Sequence, residues 1–275
     1  MEYKVHRKEK FYYFLMAAIS ISFYIPLANI VIISPDRIEL MGTLFFFVSF
    51  ISFILCIWRT CFLGFLRGNA IKVTPSQFPK LFDILKSHCQ KLGINSIPDT
   101  YVLQGNGILN AFAAKMLGNN IVILNSGVVE LIDDNQYDVV SFIIGHELGH
   151  IKRGHVSFKN IFILPANLIV PLRLAYSRAC EYTCDNIGYN LCPAGAVNGM
   201  LFLACGAKLY KKVDTKELLL SFAANSGGTS FAEIFSTHPL LIKRVRVLNN
   251  LNKQNLHVDS FTFNTPRNTK FEELS

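Results

Sequence analysis

Charged residues are scarce in this chain. Asp, Glu, Lys and Arg make up 17% of its 275 residues, whereas 51% are hydrophobic by type. An ordinary soluble domain carries about 25% charged residues. The shortage is concentrated in two stretches, because no charged residue occurs at 11–35 or at 40–58. This concentration indicates membrane-spanning segments joined to a soluble domain rather than one evenly apolar globule.

Paired cysteine motifs are also missing. The seven cysteines are an odd number and show no C-x-x-C spacing, which argues against a secreted disulfide scaffold and favours reduced thiols. Aromatic residues, by contrast, are plentiful. The 23 Phe and 10 Tyr exclude a chain that is disordered throughout.

The net charge of +8 is compatible with two kinds of partner, an anionic membrane surface and nucleic acid. The basic residues are scattered, however, and their densest cluster directly precedes the first apolar stretch: Lys4, Arg7, Lys8 and Lys10. A cluster at this place is typical of a signal for membrane orientation. We therefore expect the lipid bilayer as a partner and no nucleic acid.

The two apolar stretches predict a transmembrane helical hairpin over residues 11–66. Each stretch is long enough to cross a hydrocarbon core of about 30 Å, and only residues 34–39 separate them. Basic residues precede the first stretch and follow the second, so the positive-inside rule places both chain ends in the cytoplasm. We expect an integral protein of the inner or plasma membrane, with a basic N-terminus at 1–10, a cytoplasmic domain at 67–252 and a polar tail at 253–275.

A third apolar stretch, at 160–172, is too short to span the membrane and contains Pro165 and Pro171. Two interpretations remain open. The stretch is either buried in the domain or forms a surface that dips into the bilayer interface.

The rest of the chain predicts helices with a small sheet. Thr74 and Pro75 are expected to open a helix that ends at Gly93. Extended runs follow at 100–103, 108–117 and 121–124, with hairpin turn residues at 118–120. Further helices are expected from about 135 to 150 and at 173–190, 195–212 and 239–250.

One motif carries the chemistry: His146-Glu147-Leu148-Gly149-His150 fits H-E-x-x-H. Positions i and i+4 share a helix face, so both imidazoles can bind one zinc ion, and Glu147 can act as general base on water. The preceding turns are apolar and predict a buried helix, in which three polar side chains need a reason. The competing interpretation is a pair of buried structural histidines.

A catalytic zinc ion needs a third protein ligand. Glu181 and Asp185 form an E-x-x-x-D pattern that puts two carboxylates on one helix face. Glu181 can complete the zinc sphere, and Asp185 can orient a ligand imidazole by accepting its hydrogen bond. His155 is the alternative third ligand, but it is out of register with the H-E-x-x-H-x-x-G-x-x-H pattern.

Four motifs follow one another along residues 70–250. They are Asn110-Ala111-Phe112-Ala113, the H-E-x-x-H motif with Gly154-His155 after it, Glu181-Tyr182-Thr183-Cys184-Asp185, and Thr237-His238-Pro239 with Arg244 beyond. Together they resemble metallopeptidase family 48, which includes the HtpX-type membrane proteases and the CAAX prenyl protease. HtpX-type enzymes carry further membrane spans between the second and third motifs, and this chain has no room for them.

The resemblance implies a zinc endopeptidase in which His146, His150 and Glu181 are ligands and Glu147 is the base. It also implies that residues 110–113 lie on or beside the edge strand where an extended substrate docks. It places His238 near the metal, where this residue would stabilise the oxyanion or occupy the water position. The alternative is that His238 caps the helix opened by Pro239.

The sequence therefore predicts an α+β fold: a mainly helical metalloprotease domain of the zincin type with a small sheet, preceded by a transmembrane helical hairpin. We expect one Zn²⁺ per chain, protein or peptide substrates, and a role in membrane-protein quality control or processing. One rival function is a non-catalytic membrane scaffold with a structural zinc site, although such a site has no use for Glu147 as a base. The other rival is a basic binder of membrane surfaces or nucleic acid.

Overall fold

A computed structural model describes residues 3–104, 112–116, 119–224 and 228–262. This part of the chain is mostly helical and contains one small sheet. The helices are α1 (Arg7–Ile33), α2 (Arg37–Asn69), α3 (Pro79–Leu92), α4 (Ser126–Asp133), α5 (Tyr137–Arg153), α6 (Val170–Leu191), α7 (Ala196–Cys205), α8 (Thr215–Ala224), α9 (Thr229–Ile234) and α10 (Leu241–Thr262). The strands are β1 (Ile71–Lys72), β2 (Asp99–Leu103), β3 (Phe112–Met116) and β4 (Asn119–Asn125).

The first two helices form the predicted apolar hairpin. Both α1 and α2 are long and apolar enough to cross a membrane. Most of the large apolar side chains of α2 are exposed on the protein surface, among them Phe45 and Ile51. An exposed apolar surface of this extent needs a partner, and a lipid bilayer supplies one. We therefore describe the chain as a membrane protein.

The sheet has the strand order β1-β2-β4-β3. Strands β2 and β4 are parallel, whereas β3 and β4 are antiparallel with Met116 opposite Asn119. The antiparallel pairing agrees with the predicted hairpin, but the turn predicted at 118–120 is placed too late, because Asn119 and Asn120 already belong to β4. Residues 117–118 lie outside the described residues. One face of the sheet packs into the helical core, and the other packs on Leu66 near the end of α2.

Glycines allow α5 and α6 to approach closely. A Cβ atom on Gly149 would lie 3.2 Å from the Cα of Cys184, and one on Gly188 would lie 2.9 Å from the carbonyl oxygen of Phe142. A larger residue at either position would push the two helices apart. The contact therefore sets the distance between the H-E-x-x-H helix and the helix that carries Glu181.

Most of the third apolar stretch folds as two 3₁₀ helices, Phe158–Ile163 and Pro165–Leu168, that lie along α1, and its last residues begin α6. Ile163 and Ala166 form a small buried cluster with Met16 of α1. The hydroxyl of Tyr24 donates to the carbonyl of Ile161 at 3.3 Å. Part of the stretch is thus buried, but its outer side is exposed and apolar, as at Phe162 and Leu168.

Two predicted helix starts are wrong. Helix α3 begins at Pro79 rather than Pro75, because the hydroxyl of Thr74 accepts a hydrogen bond from the amide of Gln77 and closes a turn instead. Helix α5 begins at Tyr137, after Asn135 adopts a left-handed conformation with φ of 57°. In both cases a polar residue that is able to cap a helix forms a local turn instead.

Candidate metal centre

Helix α5 brings the two histidines of the H-E-x-x-H motif together. The helix is buried along most of its length, and four residues separate His146 from His150, so the two rings lie on one face, about one turn apart. Their Nε2 atoms are 3.3 Å apart. Two ring nitrogens therefore point at the same small volume.

Helix α6 adds a carboxylate to this volume. Glu181 is buried, with Oε2 at 3.5 Å from Nε2 of His146 and Oε1 at 3.4 Å from Nε2 of His150. The structure thus brings together the three residues that the sequence predicted as metal ligands. It does so across 31 residues of chain, by the close packing of two helices.

These distances fit a zinc ion. Zinc binds nitrogen and carboxylate oxygen at about 2.0–2.2 Å in tetrahedral geometry, which puts neighbouring ligand atoms about 3.3–3.6 Å apart. The two Nε2 atoms lie 3.3 Å apart, and each lies 3.4 or 3.5 Å from the nearer carboxylate oxygen of Glu181, which agrees with that range. Two imidazoles and one carboxylate also form a donor set known from catalytic zinc sites, which leave a fourth position for water.

A buried ion pair between Arg244 and Asp185 contacts the candidate ligands. Arg244 of α10 donates from Nε and Nη2 to the two carboxylate oxygens of Asp185, at 2.8 and 2.6 Å. The same Nη2 lies 3.2 Å from Oε2 of Glu181. Asp185 Oδ1 also lies 3.0 Å from Nδ1 of His146, although the N–H is not aimed along that line. Asp185 is therefore placed where a residue that orients His146 would lie.

The electrostatics of the centre favour a cation. Burial alone would lower the pKa of His146, but contacts with Asp185 and Glu181 raise it to about 10. Burial would raise the pKa of Glu181, yet hydrogen bonds from His146 and His150 hold it well below its usual range. A site that stabilises positive charge among anionic carboxylates is suited to a metal cation, which takes the place of the imidazole proton.

Glu147 and His238 lie at different depths. Glu147 is buried on α5, next to His146 in the chain. The side chain of His238 is 63% exposed, and its Nε2 lies 3.6 Å from Oε1 of Glu181. The structure therefore brings His238 to the rim of the centre. The amide of Leu240, at the start of α10, is bound by Glu233 instead of by His238.

His155 does not join the three donor atoms. Its Nδ1 lies 3.2 Å from Nδ1 of His150, on the side of that ring away from Glu181, and its Nε2 lies 3.2 Å from Oε1 of Glu9. His155 thus contacts the candidate ligand His150 through the ring nitrogen that does not face Glu181.

The predicted substrate segment is only partly described. Phe112 and Ala113 lie in β3, which forms one edge of the sheet and runs beside α5. Asn110 and Ala111 lie outside the described residues. An edge strand next to the H-E-x-x-H helix is a suitable place for an extended peptide.

Sequence reasoning gave no role to Arg244 or Glu9. Arg244 was noted only as part of the fourth motif, five residues after Pro239. A cation at that position in an otherwise apolar helix face could have indicated a buried carboxylate partner. Glu9, an acidic residue among four basic ones before an apolar stretch, offered a weaker signal of the same kind.

The mainly helical fold and the paired histidines of α5 facing a glutamate of α6 define a class, the metallopeptidases that carry H-E-x-x-H. The family model described as "Peptidase family M48" matches residues 75–170 and 156–252. These residues cover more than half of the sequence and include all of the candidate metal ligands. The chain belongs to peptidase family M48.

Curated relatives point the same way. The chain is 23% identical over 235 residues to a protein named "Protease HtpX homolog" from Tropheryma whipplei (strain Twist), covering 70% of this chain and 79% of the relative. A protein of the same name from Streptococcus pyogenes serotype M28 is 23% identical over 246 residues, covering 71% and 81%. One from Pelotomaculum thermopropionicum is 24% identical over 222 residues, covering 64% and 77%. The family and these relatives support a protease.

Proposed function

We propose that this protein is a membrane-anchored zinc endopeptidase of the zincin type that hydrolyses peptide bonds of protein or peptide substrates. The observation that carries the proposal is the convergence of His146, His150 and Glu181: the two Nε2 atoms lie 3.3 Å apart, and each lies 3.4 or 3.5 Å from a carboxylate oxygen of Glu181. Membership of family M48 supports the same function. One zinc ion per chain would be held by these three residues.

The residues around the centre have different roles in peptide hydrolysis. Zinc in such a site supplies Lewis acidity, which polarises a carbonyl group and makes water easier to deprotonate. Glu147 takes the proton of the attacking water and later delivers it to the leaving amine. His238, at the exposed rim, donates a hydrogen bond to the carbonyl oxygen as negative charge develops on it. Asp185 and Arg244 hold His146 and Glu181 in place.

Substrate would bind at the edge of the sheet. A peptide in extended conformation can add to β3, which contains Phe112 and Ala113, by backbone hydrogen bonds. Strand β3 runs beside α5, so a peptide bound there would pass close to the metal centre. Recognition through the backbone suits an endopeptidase that cleaves unfolded or misassembled membrane proteins, and we propose this class of substrate.

The active site would face the cytoplasm. The N-terminal residues and the catalytic domain lie on the same side of the hairpin, because the amide of His6 donates to the hydroxyl of Thr183 and the side-chain amide of Asn186 donates to the carbonyl of Lys4. The basic cluster before α1 favours the cytoplasmic side for that end.

The rival function is a membrane scaffold with a structural zinc site. The buried Glu147 favours the enzyme, since a structural site needs no base and a buried carboxylate is costly without a function.

The test replaces Glu147 by Gln in the full chain. The variant keeps all three candidate ligands, so we expect it to retain zinc and its fold but to lose casein cleavage by several orders of magnitude. Zinc content, circular dichroism and casein proteolysis are measured side by side with the wild type. A wild type that binds zinc but cleaves no unfolded protein supports the scaffold, and substantial proteolysis by the variant refutes the role of Glu147.

A further inference from the structure

The second nitrogen of His150 has a specific partner. Nδ1 of His150 lies 3.2 Å from Nδ1 of His155, and Nε2 of His155 lies 3.2 Å from Oε1 of Glu9. The three side chains thus form a line that starts at a candidate metal ligand and ends on a buried carboxylate of α1. This line lies on the side of His150 away from Glu181.

The carboxylate of Glu9 sets the direction of the hydrogen bonds among the three side chains. An ionised carboxylate only accepts, so His155 must donate from Nε2 to Glu9. A neutral His155 then has a lone pair on Nδ1, which accepts the proton that His150 carries on its own Nδ1. His150 is left with a lone pair on Nε2, the atom that faces His146 and Glu181. A metal ligand needs that tautomer.

Glu9 is itself held firmly. Arg153, at the end of α5, donates to Oε1 of Glu9 from Nε at 3.1 Å and from Nη2 at 2.8 Å. Glu9 is 4% exposed and lies in the first turn of α1, just before the apolar stretch of that helix. Glu9, a residue of the first membrane helix, therefore lies next to His155, which contacts the candidate ligand His150.

We propose that Glu9 and His155 are positioning residues that fix the tautomer and the orientation of His150, so that the first membrane helix forms part of the metal centre. The inference rests on the proposed function, because it requires that His150 binds zinc. It assigns a purpose to a histidine that is not itself a ligand. It also assigns one to an acidic residue within a basic N-terminal cluster.

Two other groupings could hold a metal instead. His150 and His155 lie near Cys184, and Glu9 and His155 lie near Cys180. The guanidinium of Arg153 on Glu9 disfavours a cation in the second grouping, since two positive charges would share one carboxylate group. Both groupings contain a thiol, which makes them distinguishable from the proposed arrangement.

The test measures zinc affinity of the full chain in detergent micelles, by competition with a chromophoric chelator. Removing a residue that orients a ligand costs about 10–100-fold in metal affinity. We therefore expect Glu9→Ala and His155→Ala each to raise the zinc Kd by about 10–100-fold. Because the two residues act in series, the double variant should lose no more affinity than His155→Ala alone.

Conservative variants and a matched control separate positioning from mere packing. His155→Gln and Glu9→Gln keep an acceptor oxygen, and we expect them to regain most of the zinc affinity. Asn186→Ala removes the hydrogen bond to Lys4 that also holds the N-terminal segment but leaves His155 untouched. We expect its zinc Kd to equal that of the wild type.

The visible spectrum of the cobalt-substituted protein supplies a second readout. We expect the ligand-field bands to change in both alanine variants and to return in the glutamine variants. Wild-type zinc affinity in both alanine variants overturns the inference, and so does an Asn186→Ala variant that loses as much affinity as they do. A thiolate charge-transfer band in the wild type, lost together with most of the affinity in His155→Ala, makes His155 a ligand and also overturns it. A wild type that binds no zinc removes the proposed function as well.

Discussion

At the scale of single residues, the buried Arg244 is the most consequential contact of the candidate site. It is 7% exposed and contacts two carboxylates, Asp185 and Glu181, that would otherwise repel each other. Burial alone would raise the pKa of Asp185, but the guanidinium outweighs this effect, and the pKa lies below its usual value. Removing the guanidinium would deprive two buried carboxylates of the charged partner that they share.

We expect Arg244→Ala to destabilise the fold by about 3–5 kcal/mol, the usual cost of breaking a buried ion pair from one side. Its zinc affinity should fall too, because Glu181 and Asp185 lose the group that orients them. Chemical unfolding in mixed micelles and chelator competition measure the two effects. The control is Arg246→Ala, which removes an exposed arginine that stacks on Phe222 and should cost less than about 1 kcal/mol. Equal losses in the two variants would contradict this role of Arg244.

The candidate ligands were predictable because each lies in a local pattern. The i and i+4 spacing of His146 and His150 needs only a helix, and Glu181 needs only a second helix with an inward face. Arg244 and Glu9 were not predictable as partners, because they approach from 59 and 144 residues away along the chain. Such contacts depend on how helices pack, and a single sequence does not encode that packing in any local spacing.

At the scale of elements, the close contact of α5 and α6 builds the site. The glycines that permit it are Gly149, inside the H-E-x-x-H motif, and Gly188, three residues after Asp185, and the sequence alone did not show their role in packing. The order of the strands in the sheet was likewise beyond the sequence, although three extended runs and the hairpin between two of them were recognised. Helix starts failed where Thr74 and Asn135 formed turns, since the same polar residues serve as turn formers and as caps.

The apolar 3₁₀ segment at 158–168 is expected to lie in the membrane. It packs along α1 as far as Tyr24, which is about 21 Å beyond Lys10 along the helix at about 1.5 Å per residue. This depth falls within a hydrocarbon core of about 30 Å. Phe162 and Leu168 are 72% and 81% exposed on the outer side, where lipid would cover them.

Fluorescence quenching by brominated lipids tests this location. The single native tryptophan, Trp58 of α2, is first replaced by Phe, and a new tryptophan is introduced as Leu168→Trp. We expect strong quenching in brominated bilayers, whereas a control Lys216→Trp on the exposed surface of α8 should be quenched little. Equal quenching of the two probes would place the segment outside the bilayer.

At the scale of the whole molecule, the hairpin places the N-terminus and the catalytic domain on one side of the membrane. The contacts of the N-terminal residues with α6 require this arrangement, and the basic residues around the hairpin favour the cytoplasm. The inferred role of Glu9 goes further, because it makes the anchor a component of the active site rather than a tether.

Thiol labelling with a membrane-impermeant reagent decides the orientation. In a background without native cysteines, Asp36→Cys between the two membrane helices should react in intact cells. Lys216→Cys on the catalytic domain should react only after permeabilisation. Labelling of the second position in intact cells would show that the domain faces outward, and the proposed cytoplasmic and membrane substrates would have to be given up.

X-ray absorption at the zinc edge of the purified, zinc-loaded protein tests the identity of the ligands most directly. Two histidines and Glu181 predict nitrogen and oxygen neighbours at about 2.0–2.2 Å and no sulfur, because Zn–S bonds are longer, about 2.3 Å. Multiple scattering from two imidazole rings should be visible, and Glu181→Ala should lose most of its bound zinc. A sulfur neighbour, or full zinc occupancy in Glu181→Ala, would contradict a metal centre made of His146, His150 and Glu181.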